Sequence, residues 1–103
     1  MNNGKSNLNP REIRYRMGMN QQEFWSKVNV TQSGGSRYES GRNMPKPVRE
    51  LLRLVHVEQI DIYKLKREDV DVAEYLKKYE PDLFKSLKKQ ASDKKKALEA
   101  AAS

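Results

Sequence analysis

Apolar residues recur at helical spacing in one segment of the chain after another. Ile13 and Met17 stand one turn apart, Phe24 and Val28 repeat that spacing with Trp25 beside them, and Val48, Leu51, Leu52 and Val55 follow i, i+3, i+4, i+7. Start and stop signals divide these stretches. Asn9 is an N-cap with Pro10 in the first helical position and Glu12 three residues on, which predicts a helix from Pro10 to Met17 closed by Gly18. Asn20 and Glu23 repeat the device and open a second helix of about eight residues. Thr31 caps a third, Gln32 to Ser40, ended by Gly41, and a fourth runs from Pro47 to about Val57.

Beyond the fourth helix the pattern weakens. Ile60, Ile62 and Leu65 predict a short helix or turn that closes the core. Val72, Tyr75, Leu76 and Tyr79 then share one face of a helix over 70–79, broken at Pro81, and Leu83, Phe84 and Leu87 mark a further turn or two. The domain organisation this predicts is a flexible arm over 1–8, a helical domain over 9–66, a helical extension over 67–91 that is a candidate dimerisation element, and a disordered tail over 92–103.

The second and third helices are separated by a three-residue turn, Asn29, Val30 and Thr31, in which asparagine tolerates positive φ and threonine caps the third helix. That spacing is the sequence form of a helix-turn-helix.

Charge sharpens this picture. The 103 residues carry a net charge of +7 with a pI near 9.7. The excess is concentrated: residues 1–57 hold ten basic residues against four acids, and the remainder eleven against ten. A basic front half rich in arginine points to a polyanionic partner. The chain has no cysteine and one histidine, His56, so thiolate metal sites and histidine clusters are excluded and no cofactor is expected. No apolar run has signal-peptide or membrane-spanning length, so no membrane role is expected, and the expected location is the cytoplasm, at the nucleoid.

From Arg11 to Leu65 the residues resemble the repressor and Cro-like helix-turn-helix regulators of the xenobiotic-response-element type, which are bacterial or phage proteins. The register that carries the resemblance runs Met19, Asn20, Gln21, Gln22, Glu23, Phe24, Trp25, Ser26, Lys27, Val28, Asn29, Val30, Thr31. It continues through Tyr38-Glu39-Ser40-Gly41-Arg42, Asn43 and a proline before the fourth helix. The resemblance implies an all-α fold, a five-helix lambda-repressor-like DNA-binding domain here followed by a short helical C-terminal extension. Two residues depart from the pattern: Trp25 stands where the family has a small alanine, and Gly35 where it has an aliphatic residue facing the core.

In such proteins the third helix enters the major groove. Carried over residue by residue, this makes Gln32, Ser33, Ser36 and Arg37 the candidate base readers. Glutamine bonds adenine bidentately and arginine guanine, which singles out Gln32 and Arg37. Gln21, at the start of the second helix, matches a phosphate-clamping position, and Arg42, Asn43 and Lys46 lie in the loop suited to the next backbone phosphates. Other residues read as structural. Glu39 is expected to pair with an arginine such as Arg14, and Trp25, Tyr15 and Tyr38 to pack. His56 reads as a surface or half-buried residue, and Arg49 and Arg53 as a solvated face.

Gly34 and Gly35 sit in the middle of the third helix and cost about 2 kcal/mol relative to alanines. Burying Trp25 contributes up to about 5 kcal/mol. The sequence therefore predicts a large-for-small exchange, Trp25 over Gly35, with Gly34 turned toward solvent or DNA.

The function these features imply is a sequence-specific transcriptional regulator of double-stranded DNA, a homodimeric repressor, because one short helix reads too few bases for a unique site. The alternative is an antitoxin-like autoregulator whose C-terminal helices bind a toxin protein. No nucleophile–base pair, paired carboxylates or phosphate-binding glycine loop is readable, so the chain is not expected to be an enzyme.

Overall fold

In the computed structural model, which describes residues 8–102, Asn9 opens the first helix by accepting a hydrogen bond from the Glu12 amide at 3.2 Å. This helix, α1, spans Pro10–Met17 and ends at Gly18, whose φ of 69° lets its N–H reach back to the last turn. The arm expected over 1–8 lies outside the described residues except for Leu8, which packs against the core. Helix α2 spans Gln21–Ser26 and is closed at its start by a reciprocal capping box between Asn20 and Glu23. It is shorter than the eight residues its pattern predicts. The chain leaves the helix at Lys27 so that Asn29, at φ 62°, can make the turn, while Val28 stays buried.

Helix α3 spans Gln32–Glu39, with the Thr31 hydroxyl accepting from the Gly34 amide at 3.1 Å. Helix α4 spans Lys46–Leu52 and runs straight into a π-helical turn, Arg53–Val57. Phe24, Trp25 and Leu52 are fully buried, Ile13 and Val28 nearly so, and Met17, Val30, Tyr38, Val48 and Val55 are packed around them. The fifth helix of the expected five-helix domain is a turn over 62–64. Ile60 and Ile62 are β-branched, and the Asp61 carboxylate takes the Tyr63 amide at 3.0 Å, which offers the backbone an alternative to a helix.

His56, expected at the surface or half-buried, lies deeper than that. It is 3% exposed and stacks on Phe24 with ring centres 3.9 Å apart. Its Nε2–H donates to the Phe24 carbonyl at 2.8 Å, which leaves Nδ1 unprotonated, buried and without a partner. Burial lowers the pKa of this imidazole, and the nearby Lys27 lowers it further.

The first compact unit ends at Lys64 and the second begins at Leu65. The second consists of α5, Arg67–Tyr79, and α6, Pro81–Ala102. Helix α5 begins three residues before the predicted 70 because the Asp69 carboxylate caps it, accepting from the Lys66 amide at 2.9 Å. Helix α6 continues to Ala102, through the segment from Ser92 whose sequence predicts a disordered tail. Ala, Lys, Leu and Glu dominate that stretch, and these are strong helix formers even where they bury nothing. No residue of α5 or α6 is buried. All regular structure among the described residues is helical.

Candidate nucleic-acid interface

The third helix is fixed from behind by one carboxylate. The Glu39 side chain is fully buried, and Arg14 on α1 approaches it with Nε at 2.8 Å from Oε2 and a terminal nitrogen at 2.9 Å from Oε1. This is a bidentate pair of the kind that combines charge with fixed geometry. The Trp25 indole N–H donates to the same Oε2 at 2.8 Å, and the Gln21 amide donates to Oε1 at 3.2 Å. Arg11 adds charge at 3.8 Å, and Arg14 also donates to the Met19 carbonyl at 3.1 Å. Burial alone pushes the Glu39 carboxyl up, but the hydrogen bonds from Arg14, Trp25 and Gln21 outweigh it and hold the pKa below the usual carboxylate value. The same pair raises the pKa of Arg14. Two helices, α1 and α2, thus converge on the last residue of α3.

One turn back, Gly35 is buried under Trp25, where a Cβ would overlap the indole ring. Trp25 therefore acts twice: its face covers Gly35 and its edge binds Glu39. The bulk of Trp25 on α2 explains why α3 carries glycine beneath it. Gly34 does not open toward solvent or DNA as its neighbour's burial suggests. A Cβ there would lie 3.2 Å from Thr31 Oγ1 and 3.4 Å from Val30 Cγ1, so the position faces the turn.

The outer side of α3 is free of these contacts. Gln32, Ser33 and Arg37 are exposed and Ser36 is half-buried. After the helix, the Arg42 amide returns to the Arg37 carbonyl at 3.0 Å across Gly41, whose φ of 115° suits glycine. Arg42, Asn43 and Lys46 follow directly, all exposed. Gln21 is placed differently from the other candidate phosphate contacts, since it is half-buried and its amide nitrogen is spent on Glu39. Arg49 is also partly withdrawn, donating to the Met44 carbonyl at 3.2 Å, and Arg53 pairs with Glu50 and Glu58. Arg11, half-exposed beside Glu39, is not singled out by sequence reasoning, since it carries no signal beyond its charge. The burial of His56 in the core behind the site does carry a signal, because four residues after Leu52 is a core-facing position.

Residues 11–55 match the family described as the RsaL-like HTH domain, and this match supports a DNA-binding regulator with a helix-turn-helix domain. That domain spans α1 to α4, and the family points to a non-enzymatic regulator. The match supports a helix-turn-helix without singling out the xenobiotic-response-element type. Neither curated proteins nor solved structures provide a match. Among the described residues no helix is long and apolar enough to cross a membrane, and no group of His, Asp and Glu side chains is gathered to hold a metal.

Proposed function

We propose that the protein is a dimeric, sequence-specific repressor that reads the major groove with α3. Gln32 and Arg37 make the discriminating base contacts, and Ser33 and Ser36 support them. Arg42, Asn43 and Lys46 bind backbone phosphates. Gln21 contributes at most one remaining amide hydrogen to a phosphate, and its main role is to help hold Glu39. The observation that carries this reading is the two-sidedness of α3: Gly35 and Glu39 are locked to Trp25 and Arg14, while Gln32, Ser33 and Arg37 remain exposed. A reading helix needs both properties, because base contacts discriminate only when the backbone behind them is fixed.

Dimerisation is supported by α5 and α6, which leave Val72, Tyr75 and Tyr79 more than half exposed. Repression needs nothing beyond occupancy of a promoter, whereas activation needs a further surface for the polymerase. We favour the dimer over the toxin-binding alternative because one short recognition helix reads too few bases for a unique site, which a second copy of the chain remedies.

The test is selection of bound sequences from a random DNA pool at moderate salt, repeated with Gln32→Ala and Arg37→Ala. Each substitution is expected to relax one position of the recovered motif, at a cost of about 1–3 kcal/mol against the wrong base. A dimer that neutralises roughly eight phosphates is expected to give a slope of log K against log salt near about −7. Recovery of an unchanged motif from both variants would refute the assignment of the reading residues.

A further inference from the structure

The first unit holds a cavity of about 490 Å³, a volume within the range of about 300–1,000 Å³ that small-molecule sites occupy. Its apolar walls come from Met17 and Met19 at the end of α1, Val55 on the π-helical turn, and Ile60 and Ile62 in the segment that follows. The backbone on that side is irregular. A π-helical turn, an arrangement found most often at functional sites, leads to Gln59, whose φ of 58° is rare for a residue with a side chain. The two methionines opposite are unbranched and adapt their shape to what they touch.

Two charged side chains also line the cavity, and they are not equivalent. The Lys27 ammonium is taken up by no ion pair among the described residues, and it lies close enough to His56 to depress that imidazole's pKa. Asp61 spends one carboxylate oxygen on the Tyr63 amide of its own loop, at 3.0 Å. Residues 1–57 hold ten basic residues against four acids, so the surrounding field favours an anion over a cation. The cavity is also tied to the turn before α3. Lys27 ends α2, and the Tyr63 hydroxyl donates to Asn29 Oδ1 at 3.4 Å. His56, a third wall residue, donates through Nε2–H to the Phe24 carbonyl, which the Val28 amide leaves for the Trp25 carbonyl.

We propose that this cavity is an effector site for a small organic carboxylate, with its apolar body between the methionines and Val55, Ile60 and Ile62, and its charge on Lys27. An occupant braces wall residues that hold the end of α2 and the turn, and DNA reading needs that turn in place. Ligand and DNA therefore favour the same arrangement, and each strengthens the binding of the other by the same factor. The coupling rests on the reading of α3 as the DNA-reading helix, whereas the site itself does not.

The test is titration calorimetry of the full chain with octanoate, phenylbutyrate and indoleacetate, beside the primary amide of each and phenylbutylamine. At least one acid is expected to bind with a Kd below about 1 mM, and its amide about fivefold more weakly, as befits an ion pair near the surface. Lys27→Met, at an exposed position, is expected to keep the fold by circular dichroism and to bind acid and amide equally. Ile62→Trp, which fills the cavity from its loop, is expected to bind neither. The bound acid is expected to tighten binding to the selected DNA about fivefold or more in the wild type, and not in Lys27→Met. Three results would overturn the site: no binding of any acid, a preference for the amide or the amine, or a preference for the acid that survives Lys27→Met. Binding of the acid that leaves DNA affinity unchanged or lowers it would overturn the coupling and leave the site standing. A wild type that selects no DNA with or without the acid would overturn the reading of α3 and the coupling with it, while the calorimetry still decides the site.

Discussion

The two units of this chain are held together in opposite ways. Up to Lys64, order comes from inside: Phe24, Trp25 and Leu52 are fully buried, and one buried carboxylate gathers donors from three side chains. From Leu65 onward none of the described residues is buried, and the helices are written mostly in propensity, caps and charge. The contrast teaches that the same secondary structure can be specified by packing or by local chemistry. Only the packed kind fixes a surface well enough to read bases, while the other kind leaves apolar stripes for a partner.

The comparison is most easily broken at Glu39. Replacing it with alanine strips Arg14 of its buried partner and orphans the Trp25 indole N–H, so a loss of about 3–5 kcal/mol is expected from chemical denaturation, with DNA binding lost in parallel. The Gly35→Ala variant comes next. Its added methyl must displace the indole, and a loss of about 1–3 kcal/mol is expected even though alanine is the better helix former. A Gly35→Ala protein as stable as the wild type would remove the packing account of α3.

Titration of His56 is a smaller lever on the same core. Its folded pKa lies below its unfolded value of about 6.5, so the unfolded chain binds the proton more readily and stability falls as pH drops through and below that value. Between pH 7 and pH 5 the decline is expected to stay within the one-proton slope of about 1.4 kcal/mol per pH unit. Glu39 acts in the same direction at lower pH, since its stabilisation is present at neutrality and is lost as pH falls through its depressed folded pKa. Denaturation midpoints that stay flat from pH 7 to pH 5 would contradict the burial of a neutral His56.

The smallest stability effects are expected at two sites that sharpen the contrast. Gly34→Ala, one residue from Gly35, is expected to stay within about 1 kcal/mol of the wild type, because its tight contacts with Thr31 and Val30 offset the gain in helix propensity. Val72→Asp is expected to change the thermal unfolding of the first unit by less than about 0.5 kcal/mol while abolishing self-association in sedimentation.

Much of the fold is legible in the sequence because its signals are local. Asn9 with Pro10, Asn20 with Glu23, Thr31, and the glycines at 18 and 41 mark the helix ends within a few residues. The exposed face of α3 follows from its helical period. The hidden part depends on stretches of the chain meeting at a distance. That the Gln21 amide turns to a carboxylate 18 residues away follows from how α2 sits on α3, which no local pattern encodes. Gly34 and Gly35 differ in surroundings by one residue's rotation, which places one against Val30 and the other under Trp25. The helix from Ser92 onward escapes the hydrophobic pattern for the opposite reason. Core-forming residues are the usual sign of order, and this segment is helical through propensity without them.

If the first unit reads DNA and the second doubles the reading, the two functions separate at the boundary between the units. The most direct measurement is selection of bound DNA by the full chain and by a chain ending at Lys66. The expected result is an inverted repeat for the full chain and a single half-site of the same sequence for the shortened one, bound more weakly. The same inverted repeat recovered by both, or no common half-site between them, would contradict this division of labour.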